Sequence, residues 1–286
     1  MVAHHYSEQL NPAELLCRIH STFPQGALPH QLAGIDQLHI GGIQASKKLL
    51  THLPDSPEST FRILEIGAGL GGLQRLYTSQ LAKHSPVNYI TLDITPEFSQ
   101  LNHGLNRLCK VKQSNVITGD GQQLPVSDNQ FDAIILQHSL LNMPDQQQCL
   151  KDCHRALKPG GKLILHEVLR GSLQQDITYP VPWAGDEANS HLLSLAALLT
   201  QLSNAGLTVT SEQNWSAEAL EWRQQQSRKE AQPPAPEQSP TNPYPLHKLS
   251  PREIFGIRFM KMATNLLANL QSGAIEVHEI IANKPL

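Results

Sequence analysis

Charge is scarce in this sequence. Lys and Arg number 22 and Asp and Glu 25 among 286 residues, so 16 % of the chain is charged, against about 25 % in ordinary soluble domains. With a net charge of −3 there is no basic field to displace counterions from a polyanion. That excludes generic nucleic-acid or anionic-membrane binding and points to small, weakly charged partners. Cysteine is sparse as well: Cys17, Cys109, Cys149 and Cys153 are too few and too scattered for a disulfide scaffold. Cys149 and Cys153 stand four apart on a predicted helix beside His154, but no second pair completes a ligand set. They are expected in the core, and no metal is assigned. No apolar run reaches the roughly 18 residues of a membrane span, and the opening MVAHHYSEQL lacks the basic and apolar regions of a signal peptide; a cytosolic protein without a membrane partner is expected. What the chain does have is 40 % hydrophobic residues, enough to fill the core of one elaborated domain, or of a domain with a cap.

The pattern along the chain alternates apolar runs with helical stretches. Helices are predicted over 7–21 and 43–53, forming an N-terminal helical lid (1–56). FRILEIG (61–67) reads as a strand, followed by a glycine-rich turn and a helix from Leu70 to Lys83. Strands follow at 87–94, 114–119, 131–138 and 161–168, with helices at 97–110 and 145–157 between them. Near-continuous apolar strands separated by helices indicate a parallel sheet covered on both faces. A helix at 191–204 and a strand at 207–213 complete a core spanning 57–213. Residues 214–273 then read as a helical cap insertion: a polar helix at 216–230, a Pro-rich mobile loop at 231–245, and a helix from Ser250 to Gly273. Ser250 is its expected N-cap, with Phe255, Phe259, Met262, Leu266 and Leu270 as a core stripe. The tail 274–286 is expected to be the last strand, pairing with 207–213 at the sheet edge. The predicted class is α/β: a Rossmann-like, seven-stranded, mostly parallel sheet with an antiparallel last strand and a helical cap between strands six and seven.

The turn after the first strand reads Glu65, Ile66, Gly67, Ala68, Gly69, Leu70, Gly71, Gly72. Its glycines suit both a dinucleotide dehydrogenase and a methyltransferase; alone they say only that a ligand approaches the backbone there. Glu65 can hold the turn and meet a charged cofactor end, where dehydrogenases usually carry an apolar residue. Asp93 ends the second strand, suited to both ribose hydroxyls, and Gly119-Asp120-Gly121 follows the third, beside an adenine. The segments LEIGAGLGG, TLDIT, GDGQQLPVSDNQFDAI, LQHSLLNM and LKPGGKLIL resemble the successive motifs of class I S-adenosylmethionine (SAM) dependent methyltransferases over about residues 60–170. DQLHIGGIQASKKLL, QHSLLNMPD and YPVPWA further resemble small-molecule enzymes of the sarcosine/dimethylglycine type and the UbiE-like group. The resemblance implies SAM as cofactor. Glu65 and the amides of Gly67, Gly69 and Gly71 would hold its methionine end, and Asp93 its ribose. Ile94 would pack on the adenine, Asp120 with the Gly121 and Gln122 amides would read the adenine edge, and Gln137 would close the pocket.

Displacement at a sulfonium needs alignment above all, and alignment can supply about 7–11 kcal/mol. A general base adds about 10²–10⁴-fold where the acceptor must lose a proton. The fourth strand ends in Gln137-His138, without the Asn/Asp-Pro-Pro-aromatic motif of enzymes acting on nucleobase nitrogens and without a magnesium-holding carboxylate. His138 is the first candidate base and His166 the second, with Glu167 comparable to it. His39, just before the Gly41-Gly42 turn, has two readings, reaching the cofactor from the N-terminal lid or, the preferred one, packing; His4, His5 and His84 are expected at the surface. Tyr179, Trp183 and Tyr244 are candidate pocket walls, and Arg170, Arg252 and Arg258 candidate partners of an acceptor carboxylate. The expected activity is methyl transfer to an O or N atom of a small metabolite. The alternatives are a SAM-binding regulatory protein without turnover and an NAD-dependent oxidoreductase.

Overall fold

The computed structural model describes residues 10–55, 57–81, 86–112, 114–231 and 249–286. The expected Pro-rich loop lies almost wholly outside them, as do Tyr244, His4, His5, His84 and the ends of two predicted helices. A seven-stranded sheet has the order β3-β2-β1-β4-β5-β7-β6, from β1 (Phe61–Ile66), β2 (Val87–Asp93), β3 (Asn115–Thr118), β4 (Phe131–Gln137), β5 (Leu157–Arg170), β6 (Thr208–Asn214) and β7 (Ile275–Asn283). β1 pairs in parallel with β2 and β4, and β4 with β5; β7 alone runs antiparallel to its neighbours.

The last strand is not the edge strand. β7 does pair with β6, but its other side pairs with β5, and β6 becomes the edge. Composition explains the swap. IEVHEIIAN is buried along nearly its whole length, whereas TVTSEQN is mostly exposed, and a polar strand tolerates the edge better than an apolar one.

Both faces are covered. α6 (Gln146–Ala156) and α7 (Leu195–Asn204) bury Cys149, Leu150, Cys153, Leu198 and Leu202 against Leu64, Leu136 and Leu165, so the two cysteines are core residues. On the other face α3 (Gly42–Leu50) and α4 (Gly72–Gln80) pack Leu49, Leu73 and Leu76 on Ile63, Ile135 and Ile164. In α1 (Pro12–Thr22) Asn11 is the cap, accepting from the Glu14 amide at 3.2 Å with Pro12 at the first helical position; the start predicted at residue 7 lies outside the described residues. A helix the periodicity did not reveal, α2 (Pro29–Asp36), packs with α1, α5 (Pro96–Leu108) and the C-terminal helices around Ile19, Leu32, Leu101 and Met262.

The helix predicted as continuous from 250 to 273 is broken. α9 (Arg252–Phe255) gives way to a 3₁₀ turn, and α10 (Phe259–Ser272) then runs to Gly273. Gly256, at φ 58° and ψ −144°, lies in a conformation that only glycine adopts readily, which interrupts the helical hydrogen bonds. The Ser250 side chain does not cap; its carbonyl accepts from the Glu253 amide instead. Phe255, Met262, Leu266 and Leu270 are buried as expected of a core stripe. α8 (Ser216–Glu230) lies against α10 and β7.

Candidate active site

A cavity of about 900 Å³ opens at the carboxyl ends of β1, β2 and β4, where a doubly wound sheet presents its ligands. Glu65, Gly67, Gly69, Asp93, Ile94, Asp120, Gly121, Gln122, Gln137 and His138 all border it. Gly71 and His166 do not border it. Asp36, Leu38, His39, Phe98, Met143, Trp183, Phe255 and Arg258 complete much of the remainder.

The glycine turn works differently from its expected role. Gly67, Gly69 and Gly71 have φ of 71°, 53° and 78°, but none of their amides is free for a ligand. Those of Gly67 and Ala68 donate to the Leu92 carbonyl, that of Gly69 donates to Asp93 Oδ2 at 2.7 Å, and that of Gly71 to the Ala68 carbonyl. The glycines therefore allow close approach rather than supply donors. A Cβ on Gly67 would come within 2.3 Å of Ser139 Cβ, whereas one on Gly69 would meet nothing within 4 Å, so the turn opens into the cavity at Gly69. The Gln122 amide is likewise committed, donating to Asp120 Oδ1 at 2.9 Å, while its side-chain carbonyl accepts from Asp145.

Asp93 is fixed at both oxygens: Oδ2 by Gly69 and Oδ1 by the Thr95 amide at 2.9 Å. Each oxygen keeps a lone pair for a hydroxyl. Burial pushes its pKa up, opposed by those two amides. Glu65 is buried and accepts from the Tyr89 hydroxyl at 3.0 Å; burial lifts its pKa to about 8. Asp36 accepts from Arg75 at 2.8 Å through Oδ2, while Oδ1 is buried without a partner. Gln137 Nε2 is orphaned in the same way. Ile94 is 44 % exposed at the rim, available to a flat ring.

The far end is imidazole-rich. His138 leaves β4 with φ 54°, a left-handed conformation uncommon for a side-chain-bearing residue and an outlier of the kind that clusters at functional sites. Two contacts fix it: its amide donates to the His166 carbonyl at 2.8 Å, and Glu167 Oε1 accepts from the next two amides, Ser139 and Leu140, at 3.0 and 2.9 Å. The His138 ring stacks on His166 with centroids 5.0 Å apart, His39 stands edge-on at 5.9 Å, and His166 meets Trp215 at 5.2 Å. Burial lowers the pKa values of all three histidines, to about 4 for His39, about 3 for His166 and well below 6.5 for His138, where the other two imidazoles add to the effect. All three are neutral at pH 7. His39 Nε2 lies 3.0 Å from the Gly42 carbonyl, which can only accept, so the ring carries its proton there and Nδ1 is an acceptor. Burial also raises Glu167 to about 7. Among the described residues no group of three or more His, Cys, Asp and Glu is arranged to hold a metal ion.

Of the other expected residues, Trp183 and Arg258 border the cavity, whereas Tyr179, Arg170 and Arg252 do not. Sequence reasoning missed Asp36, Phe98 and Met143 as wall residues; His39, for which packing is the preferred of two readings, is half-buried and also borders the cavity beside His138.

Fold and cavity together give a Rossmann-like domain whose cavity has an acidic end at the glycine turn and a separate imidazole end at β4. Residues 64–165 match the family model described as a methyltransferase domain. The chain is 30 % identical over 143 residues to the ubiquinone/menaquinone biosynthesis C-methyltransferase UbiE of Vibrio cholerae, covering 49 % of this chain and 54 % of that protein. It thus spans about half the length of the curated relatives it matches. Among solved structures the fold is similar to that of the cyclase SpnF, with TM-score 0.66 at 17 % identity over 97 % of this chain and 98 % of the other. A protein from Galdieria sulphuraria assigned as a sarcosine dimethylglycine methyltransferase gives TM-score 0.65 at 15 % identity over 95 % and 98 %. Residues 64–165 are a methyltransferase domain of the class I SAM-dependent kind, and SAM is the cofactor of that domain. The residues present fit that group: a backbone open at Gly69, a fixed two-oxygen carboxylate at Asp93 and orphaned polar atoms on Asp36 and Gln137. Among the described residues no helix is long and apolar enough to cross a membrane.

Proposed function

We propose that the chain is a SAM-dependent methyltransferase transferring a methyl group to an O or N atom of a small-molecule metabolite by in-line displacement. The observation that carries this reading is the polarity of the cavity, with acidic side chains gathered at the glycine turn and the neutral imidazoles of His39 and His138 bordering it at the other end. Asp93 binds the ribose, Ile94 and the Asp120–Gln122 loop hold the adenine, and Glu65 and Gln137 line the path between them. SAM supplies a methyl group on a sulfonium, whose departure leaves a neutral thioether.

His138 accepts the proton of the acceptor, and His166, stacked behind it, fixes its ring. A depressed imidazole pKa keeps His138 unprotonated but makes it a weak base. It therefore suits an acceptor with an acidic X–H group, such as a phenol or enol, better than an aliphatic alcohol. Residues 1–56 act as a lid and 214–273 as a cap, so acceptor choice rests on Leu38 from the first and Phe255 and Arg258 from the second, with Trp183 from the segment after β5. At about 900 Å³ the cavity is at the upper end of the roughly 300–1,000 Å³ usual for ligand pockets, with room for an acceptor beside the cofactor.

A second reading has a specific observation behind it. The curated relatives include proteins named as C-methyltransferases, and ionising a phenol or enol makes the adjacent carbon nucleophilic, so the same imidazole serves C-methylation. The test is incubation of the protein with methyl-labelled SAM and a fraction of small cellular metabolites, followed by mass spectrometry of the protein-free filtrate. The reading predicts label in one small molecule, with equimolar S-adenosylhomocysteine; fragmentation then tells carbon from heteroatom. Saturating SAM binding with no labelled product leaves the regulatory alternative, and NAD binding without SAM binding leaves the oxidoreductase.

A further inference from the structure

The geometry points to Asp36 as the residue that receives the α-ammonium group of the cofactor, an assignment that rests on the proposed SAM-dependent function and adds a ligand from outside the methyltransferase core. Asp36 closes α2, on the N-terminal side of the matched domain. It sits directly against the start of α4: a Cβ on Gly72 would lie 2.4 Å from the Asp36 carbonyl oxygen and 2.9 Å from its Cγ. The backbone there is bare where Asp36 reaches over it.

The two carboxylate oxygens differ. Oδ2 accepts from Arg75, whose side chain is fully buried and is itself held by the Leu70 carbonyl, Asn102 and Asn106. The guanidinium, and through it the carboxylate, therefore has one orientation. Oδ1 has no donor although the side chain is only 1 % exposed, and Asp36 borders the cavity beside Gly69 and Gly72. A buried acceptor left unpaired is costly unless a donor arrives.

Charge balance says what kind of donor. Of the buried acidic groups at the glycine turn, Glu65 is held neutral by burial, which leaves the carboxylates of Asp36 and Asp93 against one buried guanidinium, that of Arg75. Glu65 already spends one oxygen on Tyr89, and Asp93 one on each of two amides. The unspent acceptor on Asp36 calls for a compact cation with several donors. An ammonium supplies that; a carboxylate or a hydroxyl does not.

Calorimetry on the full chain tests this without the methyl acceptor. S-adenosylhomocysteine is compared with its desamino analogue, in which hydrogen replaces the α-amino group and the carboxylate is kept. In D36N, S-adenosylhomocysteine binding is expected to weaken about ten- to a hundredfold, as for loss of a charge-assisted hydrogen bond, while binding of the desamino analogue is unchanged. Equal weakening of both ligands assigns Asp36 to the fold alone and overturns the proposal, as does no weakening of either. Should D36N fail to fold, D36E keeps the charge facing Arg75 and moves the free oxygen by one methylene. The ratio of the two affinities is then expected to fall, and an unchanged ratio overturns the proposal. A wild-type chain that binds neither ligand removes the SAM reading itself, and Asp36 with it.

Discussion

At the glycine-turn end of the cavity, Asp93 gives each carboxylate oxygen a backbone amide and Asp36 is paired with Arg75. At the other end, His138 Nε2 and both ring nitrogens of His166 are buried with no partner among the described residues. In the first region the carboxylates are oriented by protein donors before any ligand arrives, with Asp36 Oδ1 left open; in the second, those ring nitrogens are held by no partner among the described residues. That contrast fits a division of labour in which one end binds the nucleotide and the other meets the acceptor. It also fits the backbone: strain in the described non-glycine residues of the site falls at His138, on the imidazole side.

If the ends are separable, their variants must fail in different assays. The largest effect is expected for H138A: turnover falls about 10²–10⁴-fold while S-adenosylhomocysteine binding, read by calorimetry, stays near that of wild type. D93A should do the reverse, weakening S-adenosylhomocysteine by about a hundredfold or more through loss of two charge-assisted contacts and of the Gly69 anchor. If D93A binds normally, the nucleotide end has been misplaced; if H138A loses binding as D93A does, the two ends act as one.

Stability against pH separates them again, with an effect on the order of 1–3 kcal/mol. Glu65 and Glu167 have pKa values raised to about 8 and about 7, so their contribution is complete below the unfolded value near 4.5 and is lost as pH rises through 7 and 8. His39 and His166, lowered to about 4 and about 3, contribute fully above 6.5 and lose that contribution as pH falls toward 4 and 3. Urea denaturation of the ligand-free protein should therefore show an alkaline limb that E65Q flattens and an acid limb that H166F flattens. A limb that persists unchanged in its variant contradicts a protonated Glu65 or a neutral His166 in the folded protein. The smallest effect is on turnover in H166F, about tenfold or less, if that ring only positions His138; a loss matching H138A would make His166 a base in its own right.

Much of the glycine-turn end of the cavity was legible in the sequence because its residues are local to strand ends. Glu65, Asp93, Asp120 and the glycines each follow an apolar run by a fixed few residues, and all but Gly71 border the cavity. What the glycine amides bond to was not legible: their acceptors, the Leu92 carbonyl and Asp93, come from the next strand. Asp36 and Arg75 are 39 positions apart, and nothing in either neighbourhood announces a buried ion pair. The order of the last three strands escaped for a similar reason. The 207–213 pairing was visible, but the second partner of β7 is β5, more than a hundred residues earlier. The place of His39 could not be settled from the sequence because it depends on two other histidines from the ends of β4 and β5, which only the fold brings to within 6.4 Å of it.

The most direct test of the two-ended cavity is a crystal structure of the full chain with S-adenosylhomocysteine bound. The account predicts adenine against Ile94 and the Asp120–Gln122 loop, ribose hydroxyls on Asp93, and the sulfur turned toward His138. Adenine lodged among His39, His138 and Trp183, with Asp93 left untouched, would contradict it.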